Sequence, residues 1–345
     1  MLVLGLETTC DETACALVAD GKKILSNVIA SQADLHAIYG GVFPEIACRR
    51  HFETLIPVIS EALSEANITP QEIDLISVAK GPGLIGALLL GLNAAKSLSL
   101  AWGKPFVGVN HVEAHLAAAM MEIDTPPLPA LGVVISGGHT FLAIIHERGV
   151  YELIGQTVDD AIGEAFDKVA VMLGLPYPGG PEIEKLAQKG DASKYFFKPG
   201  RVKEFPWHFS FSGLKTNVLY TLKGQNSDKK APLAIPQEEK AHIAAAFQET
   251  ALTDIVDKAA KAAASFGLKA VFLGGGVSSN GRLRDLFTSR NLSIPVIFPP
   301  KGLSLDNGAM IAALGYHVFQ KQGHGDPLDL EPQTRIPLPI MSKTL

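Results

Sequence analysis

The chain has 345 residues, of which 47% are hydrophobic and 19% charged, so it can bury cores in two domains and is not intrinsically disordered. Its formal net charge of −5 excludes a uniformly basic surface, so an RNA partner must be met by a local basic patch or by helper proteins. Its three cysteines, Cys10, Cys15 and Cys48, form no C-x-x-C pair and favour a reducing cytoplasm over a disulfide framework.

The N-terminal residues predict neither a secretory signal nor a membrane anchor. The apolar residues 1–6 are too few for a signal, and the acids Glu7, Asp11 and Glu12 follow directly. The longest apolar stretch, residues 83–92, is well below the roughly 20 residues that span a bilayer. We therefore expect a cytoplasmic protein with no membrane partner.

The first predicted elements are a hairpin and a parallel β-α-β unit. Residues 2–18 read as strand, small polar turn and strand, and the acids and hydroxyls of the turn can surround a phosphate. Residues 73–109 read as strand, Gly-Pro-Gly turn, apolar helix and strand. This order predicts a mixed α/β domain.

Two histidines one helical turn apart follow this unit. Asn110 is a suitable N-cap for a helix that begins His111-Val-Glu-Ala-His115, with Glu113 placed to reach back to the Asn110 N–H as in a capping box. Side chains four residues apart share one helix face, with Cβ atoms about 5–6 Å apart, so the two imidazoles can bind one metal ion. They can equally be partly buried core residues. A third ligand is needed to decide.

The second half of the chain repeats the element order of the first. Residues 121–129 include Asp-Thr-Pro-Pro-Leu-Pro, which breaks helix and restarts extended chain, so the lobes are predicted as 1–125 and 126–345. Residues 131–145 repeat the hairpin, and residues 268–298 repeat strand, glycine turn, helix and strand. Two unrelated hairpins are the alternative, but the second correspondence favours two related lobes with a ligand cleft between them.

Several segments of the second lobe offer groups that can bind a ligand. The turn Ser136-Gly-Gly-His-Thr140 exposes backbone N–H groups to an anion, although ordinary hairpins also use Gly-Gly. Residues 159–168 place acids at helical spacing, which is also typical of an amphipathic helix with a solvated face. Residues 177–184 form a Pro-Gly-Gly-Pro loop that opens a helix, and residues 273–280 join strand to helix with Asn280 as a side-chain partner.

Residues 195–220 have the most RNA-like composition in the chain. Their aromatic residues are Tyr195, Phe196, Phe197, Phe205, Trp207, Phe209, Phe211 and Tyr220, interleaved with lysine, arginine and histidine. Bases stack on aromatic rings while cations contact phosphates. The alternative is an insertion, about residues 190–240, that buries its aromatic residues in a small core of its own.

The third candidate metal ligand precedes the final helix, which is predicted over about residues 307–320 and is expected to pack back toward the lobe junction. Asp306 is either the N-cap of that helix or the carboxylate that completes a set with His111 and His115. Two imidazoles and a carboxylate suit iron or zinc and leave positions open to substrate.

Together these motifs resemble those of the TsaD family of tRNA adenosine threonylcarbamoyltransferases. In the family's order, the matching segments are Gly5-Leu-Glu-Thr-Thr-Cys-Asp-Glu-Thr13, His111-Val-Glu-Ala-His115, Val134-Ile-Ser-Gly-Gly-His-Thr140, Asp159-Asp through Phe166-Asp-Lys168, Tyr177-Pro-Gly-Gly-Pro181, Gly274-Gly-Gly-Val-Ser-Ser-Asn280 and Asp306-Asn-Gly-Ala-Met310. They span nearly the whole chain, which makes the set far more specific than any one motif.

The resemblance implies a duplicated α/β fold of the actin-like and sugar-kinase-like (ASKHA) type, with two lobes around a nucleotide cleft. It implies transfer of threonylcarbamoyl from threonylcarbamoyl-AMP to the exocyclic amine of an anticodon-loop adenosine, in tRNAs that read codons beginning with A. The implied cofactor is one divalent metal ion, Fe²⁺ in preference to Zn²⁺. The implied protein partners are a TsaB-like paralogue and a TsaE-like ATPase.

The resemblance also implies roles for individual residues. The implied metal ligands are His111, His115 and Asp306. The implied adenylate-binding residues are Ile135, Ser136, Gly137, Gly138, His139, Asp167, Gly180, Glu184 and Asn280. Asp11 and Glu12 at the first hairpin turn are the implied catalytic residues, with Asp11 as the candidate proton acceptor.

Three other functions compete with this one. A small-molecule kinase of the same fold would consume ATP without tRNA, but the histidine pair is unexpected there. A metalloprotease is a poorer alternative, because Glu113 does not directly follow the first histidine as in His-Glu-x-x-His. A non-catalytic partner that has kept the fold would not require the intact histidine and aspartate set.

Overall fold

The structure, a computed structural model, describes residues 1–224 and 235–336. The chain forms two compact units, each containing one five-stranded sheet. Unit 1 comprises residues 1–126, residues 146–152 and the described residues from 299 onward; unit 2 comprises residues 127–145 and the described part of 153–298. Residues 225–234, in the middle of the predicted insertion, lie outside the described ranges.

The described ranges contain ten strands and ten α-helices. The strands are β1 (Leu2–Glu7), β2 (Glu12–Ala19), β3 (Lys23–Ser31), β4 (Leu75–Gly81), β5 (Phe106–Asn110), β6 (Ala130–Ile135), β7 (Thr140–Glu147), β8 (Val150–Gln156), β9 (Val271–Gly274) and β10 (Val296–Ile297). The helices are α1 (Ala33–Ala37), α2 (Pro44–Ala66), α3 (Ile85–Trp102), α4 (His111–Met120), α5 (Ile162–Leu173), α6 (Gly179–Ala187), α7 (Ser212–Lys223), α8 (Glu239–Ser265), α9 (Gly281–Arg290) and α10 (Gly308–Gln322). Short 3₁₀ helices span Pro70–Glu72, Ala192–Lys194 and Gly276–Ser279.

The two sheets share one strand topology. The order is β3-β2-β1-β4-β5 in unit 1 and β10-β9-β6-β7-β8 in unit 2. In each sheet an antiparallel hairpin comes first, β1–β2 or β6–β7, and its first strand pairs in parallel with β4 or β9 from the later β-α-β unit. The predicted duplication of an α/β fold is therefore confirmed.

The core of unit 1 lies on both faces of its sheet. Buried side chains of α2 and α3 cover one face, and those of α4 and α10 cover the other. Close packing of α10 requires glycine, because a Cβ on Gly5 would lie 2.3 Å from the Gly308 carbonyl oxygen. A Cβ on Gly308 would likewise lie 2.5 Å from the Ala16 nitrogen.

The C-terminal helix changes the predicted domain assignment. The sequence places it in the second lobe, 126–345, whereas the structure packs α10 against β1, β2, β4 and α4 of unit 1. The reason is its small, apolar surface, on which Ala309, Met310 and Ala312 are fully buried. The first segment of unit 1 ends at residue 126, one residue beyond the predicted boundary, and residues 146–152 also belong to this unit.

α3 is the one helix in the described ranges that is long and apolar enough to cross a membrane by length and composition. A single helix of this kind is weak evidence, because core helices pass the same test. In unit 1, α3 packs against β4 and α2 and buries Leu88 and Leu92. Its Lys96 donates a hydrogen bond to the Leu330 carbonyl.

Unit 2 has one large core, which takes in much of the aromatic segment 195–220. Phe197, Phe209 and Phe211 are buried in the same core as β6, α5 and α8. The aromatic residues therefore do not form the small separate core that the sequence left open. Phe196 and Phe205 differ from them because both are exposed.

His317 lies in a network that ties residues 146–152 into unit 1. The Arg148 Nη2 donates hydrogen bonds to the carbonyls of Met120 and Ile123, and its Nη1 lies 3.4 Å from His317 Nε2. An imidazole that accepts from a guanidinium must be neutral. Burial, followed by the positive charges of Arg148 and Lys22, lowers the pKa of His317 to about 4.

We expect His317→Gln to reduce the loss of stability in acid. Between pH about 6.5 and 4 the unfolded imidazole binds a proton that the folded one does not, so stability is complete above this window and falls as the pH decreases through it. Because solvent screens the partly exposed imidazole, we expect this proton uptake to lower the free energy of unfolding by about 1 kcal/mol. Urea unfolding at pH 7 and pH 5 measures it, with the exposed His324→Gln as control. An unchanged pH dependence in His317→Gln would contradict the assignment.

Candidate functional site

α4 places the two predicted histidines side by side. The Asn110 side chain caps the helix as predicted, accepting hydrogen bonds from the backbone N–H groups of Val112 and Glu113 at 2.9 and 3.3 Å. The His111 and His115 rings are 4.9 Å apart between centroids, and both side chains are buried. The shared helix face expected from the i, i+4 spacing is therefore present.

The predicted capping role of Glu113 is wrong. Its Oε1 accepts a hydrogen bond from the Tyr151 hydroxyl at 3.1 Å, so the carboxylate joins a tertiary contact instead of reaching back to Asn110. Burial raises the pKa of Glu113 to about 7, although the Tyr151 hydrogen bond opposes the shift. A carboxylate engaged in this way does not provide the base of a zinc protease beside the histidines.

Asp306 joins the histidine pair. Its Oδ1 lies 3.2 Å from His115 Nε2 and 3.7 Å from His111 Nε2. The N-cap of α10 is Asn307, whose Oδ1 accepts from the Met310 N–H at 3.0 Å, so the alternative N-cap role for Asp306 is wrong. One ligand atom from each of the three candidate residues lies within 4.8 Å of the others.

Glu7 orients the first histidine. Its fully buried carboxylate lies with Oε2 2.8 Å from His111 Nδ1. A proton on Nδ1 shared with this carboxylate leaves Nε2, the nitrogen nearer Asp306, as a lone-pair donor. Sequence reasoning missed Glu7; the available signal was an acid that ends a strand of otherwise apolar residues.

The chemistry of His115 fits a cation. Both of its ring nitrogens are buried and lack a hydrogen-bond partner among the described residues. Nε2 is within ion-pair distance of Asp306 Oδ1 but outside hydrogen-bond geometry. A buried, unpaired nitrogen costs free energy that metal coordination would offset. Separations of 3.2 and 3.7 Å approach the roughly 3.0–3.4 Å between neighbouring ligands at metal–ligand bonds of about 2.1 Å.

Carboxyl groups surround these imidazoles. Asp11 and Glu12 lie at the β1–β2 turn, where burial, followed by the negative charges of Asp306 and Asp11, raises the pKa of Glu12 to about 10. Burial opposes the charged form of His111, yet the carboxylates of Glu7 and Asp306 raise its pKa to about 9. Such a concentration of negative charge favours a bound cation.

In unit 2, the predicted glycine turn follows β6 and is closed on itself. The Ser136 N–H donates to the His139 carbonyl at 2.8 Å, and the His139 N–H donates to Ser136 Oγ at 3.1 Å. A Cβ on Gly137 or Gly138 would meet no atom within 4 Å. The backbone between these hydrogen bonds is therefore open to a ligand, while Ile135 is buried at the end of the strand.

Two further glycines pack against this turn. The Gly163 N–H donates to the Ser136 carbonyl at 3.2 Å, and a Cβ on Gly163 would lie 2.7 Å from that oxygen. Gly275 has a φ of +89°, and its Cβ would lie 2.5 Å from the Ile135 carbonyl oxygen. The start of α5 and the turn after β9 therefore meet the Ser136 turn at the carboxyl edge of the sheet, where ligands bind in α/β folds.

Asp167 and Gly180 belong to the contact between α5 and α6. Asp167 Oδ1 accepts a hydrogen bond from the Gly179 N–H at 2.7 Å, which fixes the start of α6. A Cβ on Gly180 would meet nothing within 4 Å, so this backbone is also open. These residues offer a carboxylate, which can accept hydrogen bonds from ribose hydroxyls, and a helix N-terminus, which suits phosphate oxygens.

Glu184 and Asn280 lie next to each other across α6 and α9. Glu184 Oε1 accepts from the Gly281 N–H at 2.8 Å. Asn280 Oδ1 caps α9 by accepting from the Leu283 N–H at 3.1 Å, and its Nδ2 donates to Gln248 Oε1 at 3.0 Å. The structure thus adds Gln248, a buried residue of α8 that sequence reasoning missed because only the tertiary fold brings it to Asn280.

The acids that precede α5 have structural partners. Asp159 accepts hydrogen bonds from the Phe211 N–H and from the hydroxyls of Ser210 and Ser212 at the start of α7. Asp160 pairs with Lys168 and with Lys215. Asp159 and Asp160 therefore belong to a network that holds residues 210–215 near α5. On α5 itself Glu164 is exposed, in agreement with the predicted amphipathic helix.

Comparison with known proteins matches one family over most of the chain. The family model described as TsaD, tRNA N6-adenosine threonylcarbamoyltransferase, matches residues 23–313. The tRNA N6-adenosine threonylcarbamoyltransferase of Protochlamydia amoebophila is 60% identical over 339 residues, covering 98% of both chains. Its counterpart from Chlamydia trachomatis is 50% identical and covers 94% of this chain and 95% of that relative.

A solved structure supports the fold. The T. kodakarensis HypF crystal structure superposes with a TM-score of 0.61 at 15% identity, covering 93% of this chain and 48% of that one. At this identity the likeness concerns the fold alone. Together with the duplicated topology, it establishes the predicted actin-like and sugar-kinase-like (ASKHA) architecture.

Proposed function

Since the chain belongs to the TsaD family of tRNA N6-adenosine threonylcarbamoyltransferases, we propose that unit 1 binds the catalytic cation and unit 2 binds the adenylate of its donor. The protein transfers a threonylcarbamoyl group to adenosine in tRNA. The donor is threonylcarbamoyl-AMP, and the acceptor is the exocyclic amine of an anticodon-loop adenosine in tRNAs that read codons beginning with A. The observation that carries this proposal is the convergence of His111, His115 and Asp306.

The three converging side chains would hold one divalent cation. The ligand atoms are Nε2 of His111, Nε2 of His115 and Oδ1 of Asp306. Two imidazoles and one carboxylate with open positions favour Fe²⁺, with Zn²⁺ as the alternative. When bound, the cation supplies Lewis-acid polarisation of a carbamoyl or phosphate oxygen.

The open backbone of unit 2 would bind the adenylate. The backbone N–H groups of Gly137 and Gly138 provide donors for the phosphate, because no side chain covers either glycine. Asp167, Gly180, Glu184 and Asn280 provide carboxylate, backbone and amide partners for the ribose and base. The hydrogen bonds from Gly281 to Glu184 and from Asn280 to Gln248 fix both side chains before a ligand arrives.

In the transfer step, the amine nitrogen of adenosine forms a bond to the carbamoyl carbon. The bond between that carbon and the phosphate oxygen breaks, and AMP leaves with the electron pair. The glycine turn at 136–139 binds oxygens on which negative charge grows. The proton of the attacking amine passes to the Asp11 carboxylate, with Glu12 beside it at the start of β2.

Glu7→Ala is expected to weaken cation binding about 10- to 100-fold. The carboxylate that orients His111 through Nδ1 would be lost, while all three ligands remain. Competition with a chromogenic chelator measures the Kd. The matched control is Glu53→Ala, an exposed acid of α2. Equal Kd values for wild type and Glu7→Ala would contradict the role of Glu7.

The proposed protein partners are a TsaB-like paralogue and a TsaE-like ATPase. We place the protein in the cytoplasm, without a membrane partner. For the paralogue, the supporting feature is an apolar surface on α2 and α3, which pack together. Phe52 and Ile56 on α2 and Ile85 and Leu89 on α3 are exposed i, i+4 pairs. A related chain with the same two helices can cover them.

The proposed activity is tested by incubating the protein with threonylcarbamoyl-AMP, unmodified tRNA and the partner proteins. Nucleoside mass analysis of the tRNA should find threonylcarbamoyladenosine, and the reaction mixture should contain an equal amount of AMP. ATP consumption without tRNA modification would indicate a small-molecule kinase, and no reaction would indicate a scaffold. Neither alternative is favoured, because relatives 60% and 50% identical over nearly the whole chain are transferases by name.

A further inference from the structure

A basic loop of unit 2, residues 194–208, has no role in the chemistry described above. It contains four basic residues, Lys194, Lys198, Arg201 and Lys203, and one acid, Glu204. The whole chain carries a net charge of −5, so this loop is a local exception. A concentration of positive charge on an acidic protein points to a polyanionic ligand.

Two phenylalanines of the loop face solvent, although neighbouring ones are buried. Phe196 is 83% exposed and Phe205 is 54% exposed, whereas Phe197 is 6% exposed. Core packing therefore explains the phenylalanine at position 197, but not those at positions 196 and 205. Exposed aromatic rings among cations are the arrangement that proteins use to stack unpaired bases.

The cations of the loop are available to a ligand. Lys198, Arg201 and Lys203 form no ion pair with another described residue. By contrast, Lys215 and Arg282 of the same unit are paired with acids. Unpaired cations can contact phosphates without first breaking a salt bridge.

The loop is anchored to the rest of unit 2 at residues 191, 195 and 200, which lowers the entropic cost of binding. Before the loop, the Asp191 N–H donates to His242 Nδ1 at 2.9 Å; within it, the Tyr195 hydroxyl donates to Glu239 Oε2 at 2.8 Å. Gly200 packs so closely on Ser210 that a Cβ would lie 2.3 Å from the Ser210 carbonyl oxygen. The exposed rings are therefore presented from an anchored backbone.

We propose that the basic loop binds single-stranded RNA, with Phe196 and Phe205 stacked on bases and Lys198, Arg201 and Lys203 on phosphates. The inference rests on the proposed function, in which that RNA is the anticodon loop of the substrate tRNA. Single-stranded RNA is favoured over duplex because only unpaired bases expose faces for stacking. It is favoured over an acidic protein because such a partner would use the cations but not the ring faces.

The stacking half of the proposal is tested with Phe196→Ala/Phe205→Ala. Alanine substitution costs about fivefold or more in affinity at each stacked position, so loss of both rings costs about 25-fold or more. The Kd for a fluorescent, unmodified anticodon stem–loop should rise by that factor, and in the complete transferase assay the KM for tRNA should rise with kcat unchanged. Phe43→Ala, which removes a 46% exposed phenylalanine of unit 1, is the matched control.

The proposed phosphate contacts are tested with the triple variant Lys198→Ala/Arg201→Ala/Lys203→Ala. Loss of three contacts to single-stranded phosphates should lower the slope of log K against log salt by about 2. The control removes the exposed lysines Lys189, Lys261 and Lys269 of the same unit and should change the slope little.

An unchanged stem–loop Kd in the phenylalanine variant, or an unchanged salt slope in the charge variant, would overturn the proposal. Loss of partner-protein binding with intact RNA binding would also overturn it and assign the loop to a protein. If wild type makes no threonylcarbamoyladenosine but the variants still bind the stem–loop less tightly, the proposed function fails and the RNA site stands.

Discussion

His111→Ala and His115→Ala are each expected to remove the bound metal and to lower the transfer rate about a thousandfold. Each change deletes one of two buried nitrogen ligands, and the remaining imidazole and Asp306 do not complete the site. Loss of Lewis-acid stabilisation worth several kcal/mol accounts for this factor. Metal analysis of the purified variants, together with single-turnover transfer from threonylcarbamoyl-AMP to tRNA, measures both effects.

The control for the histidine variants is His324→Ala, which removes an exposed imidazole outside the site. It should keep wild-type metal content and rate. Thermal unfolding of the metal-free proteins should remain cooperative in all variants, because the two helical histidines lie in an otherwise Ala-rich, apolar helix. A metal-free His111→Ala protein that transfers at the wild-type rate would refute the role assigned to the cation.

Gly5→Ala is expected to destabilise the protein by about 3 kcal/mol. The added Cβ would lie 2.3 Å from the Gly308 carbonyl oxygen and 2.6 Å from the Ala312 nitrogen. Both atoms belong to the backbone of α10, so the helix must move away from β1. Urea unfolding of the metal-free protein at pH 7 measures the loss.

The same substitution should also weaken metal binding, because α10 begins two residues after Asp306. The matched control is Gly213→Ala in α7, where the Cβ meets nothing within 4 Å. That change should leave metal affinity unchanged and raise stability by up to about 1 kcal/mol. Equal stability of Gly5→Ala and wild type would contradict the close packing of α10 on β1.

The sequence predicts the local parts of the site well. The Asn110 cap, the shared face of His111 and His115 and the turn at 136–139 depend on neighbours within a few residues, and all are present in the structure. The duplicated topology follows from repeated element order. The roles of these residues in binding metal and adenylate stay predictions that the experiments above test.

What the sequence did not predict depends on contacts between distant segments. Glu113 binds Tyr151 instead of capping its own helix, because the fold brings a buried hydroxyl within reach. Glu7 contacts His111 because β1 and β5 belong to the same sheet. Gln248 contacts Asn280 because α8 packs beside α9. Composition alone could not separate exposed from buried aromatic residues of 195–220.

The central claim is that two imidazoles and one carboxylate, distant in sequence, bind one cation. Anomalous diffraction at the iron edge from crystals of iron-loaded protein tests it most directly. The expected result is one peak within about 2.0–2.2 Å of His111 Nε2, His115 Nε2 and Asp306 Oδ1. An iron peak held by other residues, or no peak here in protein that carries one equivalent of iron, would contradict it.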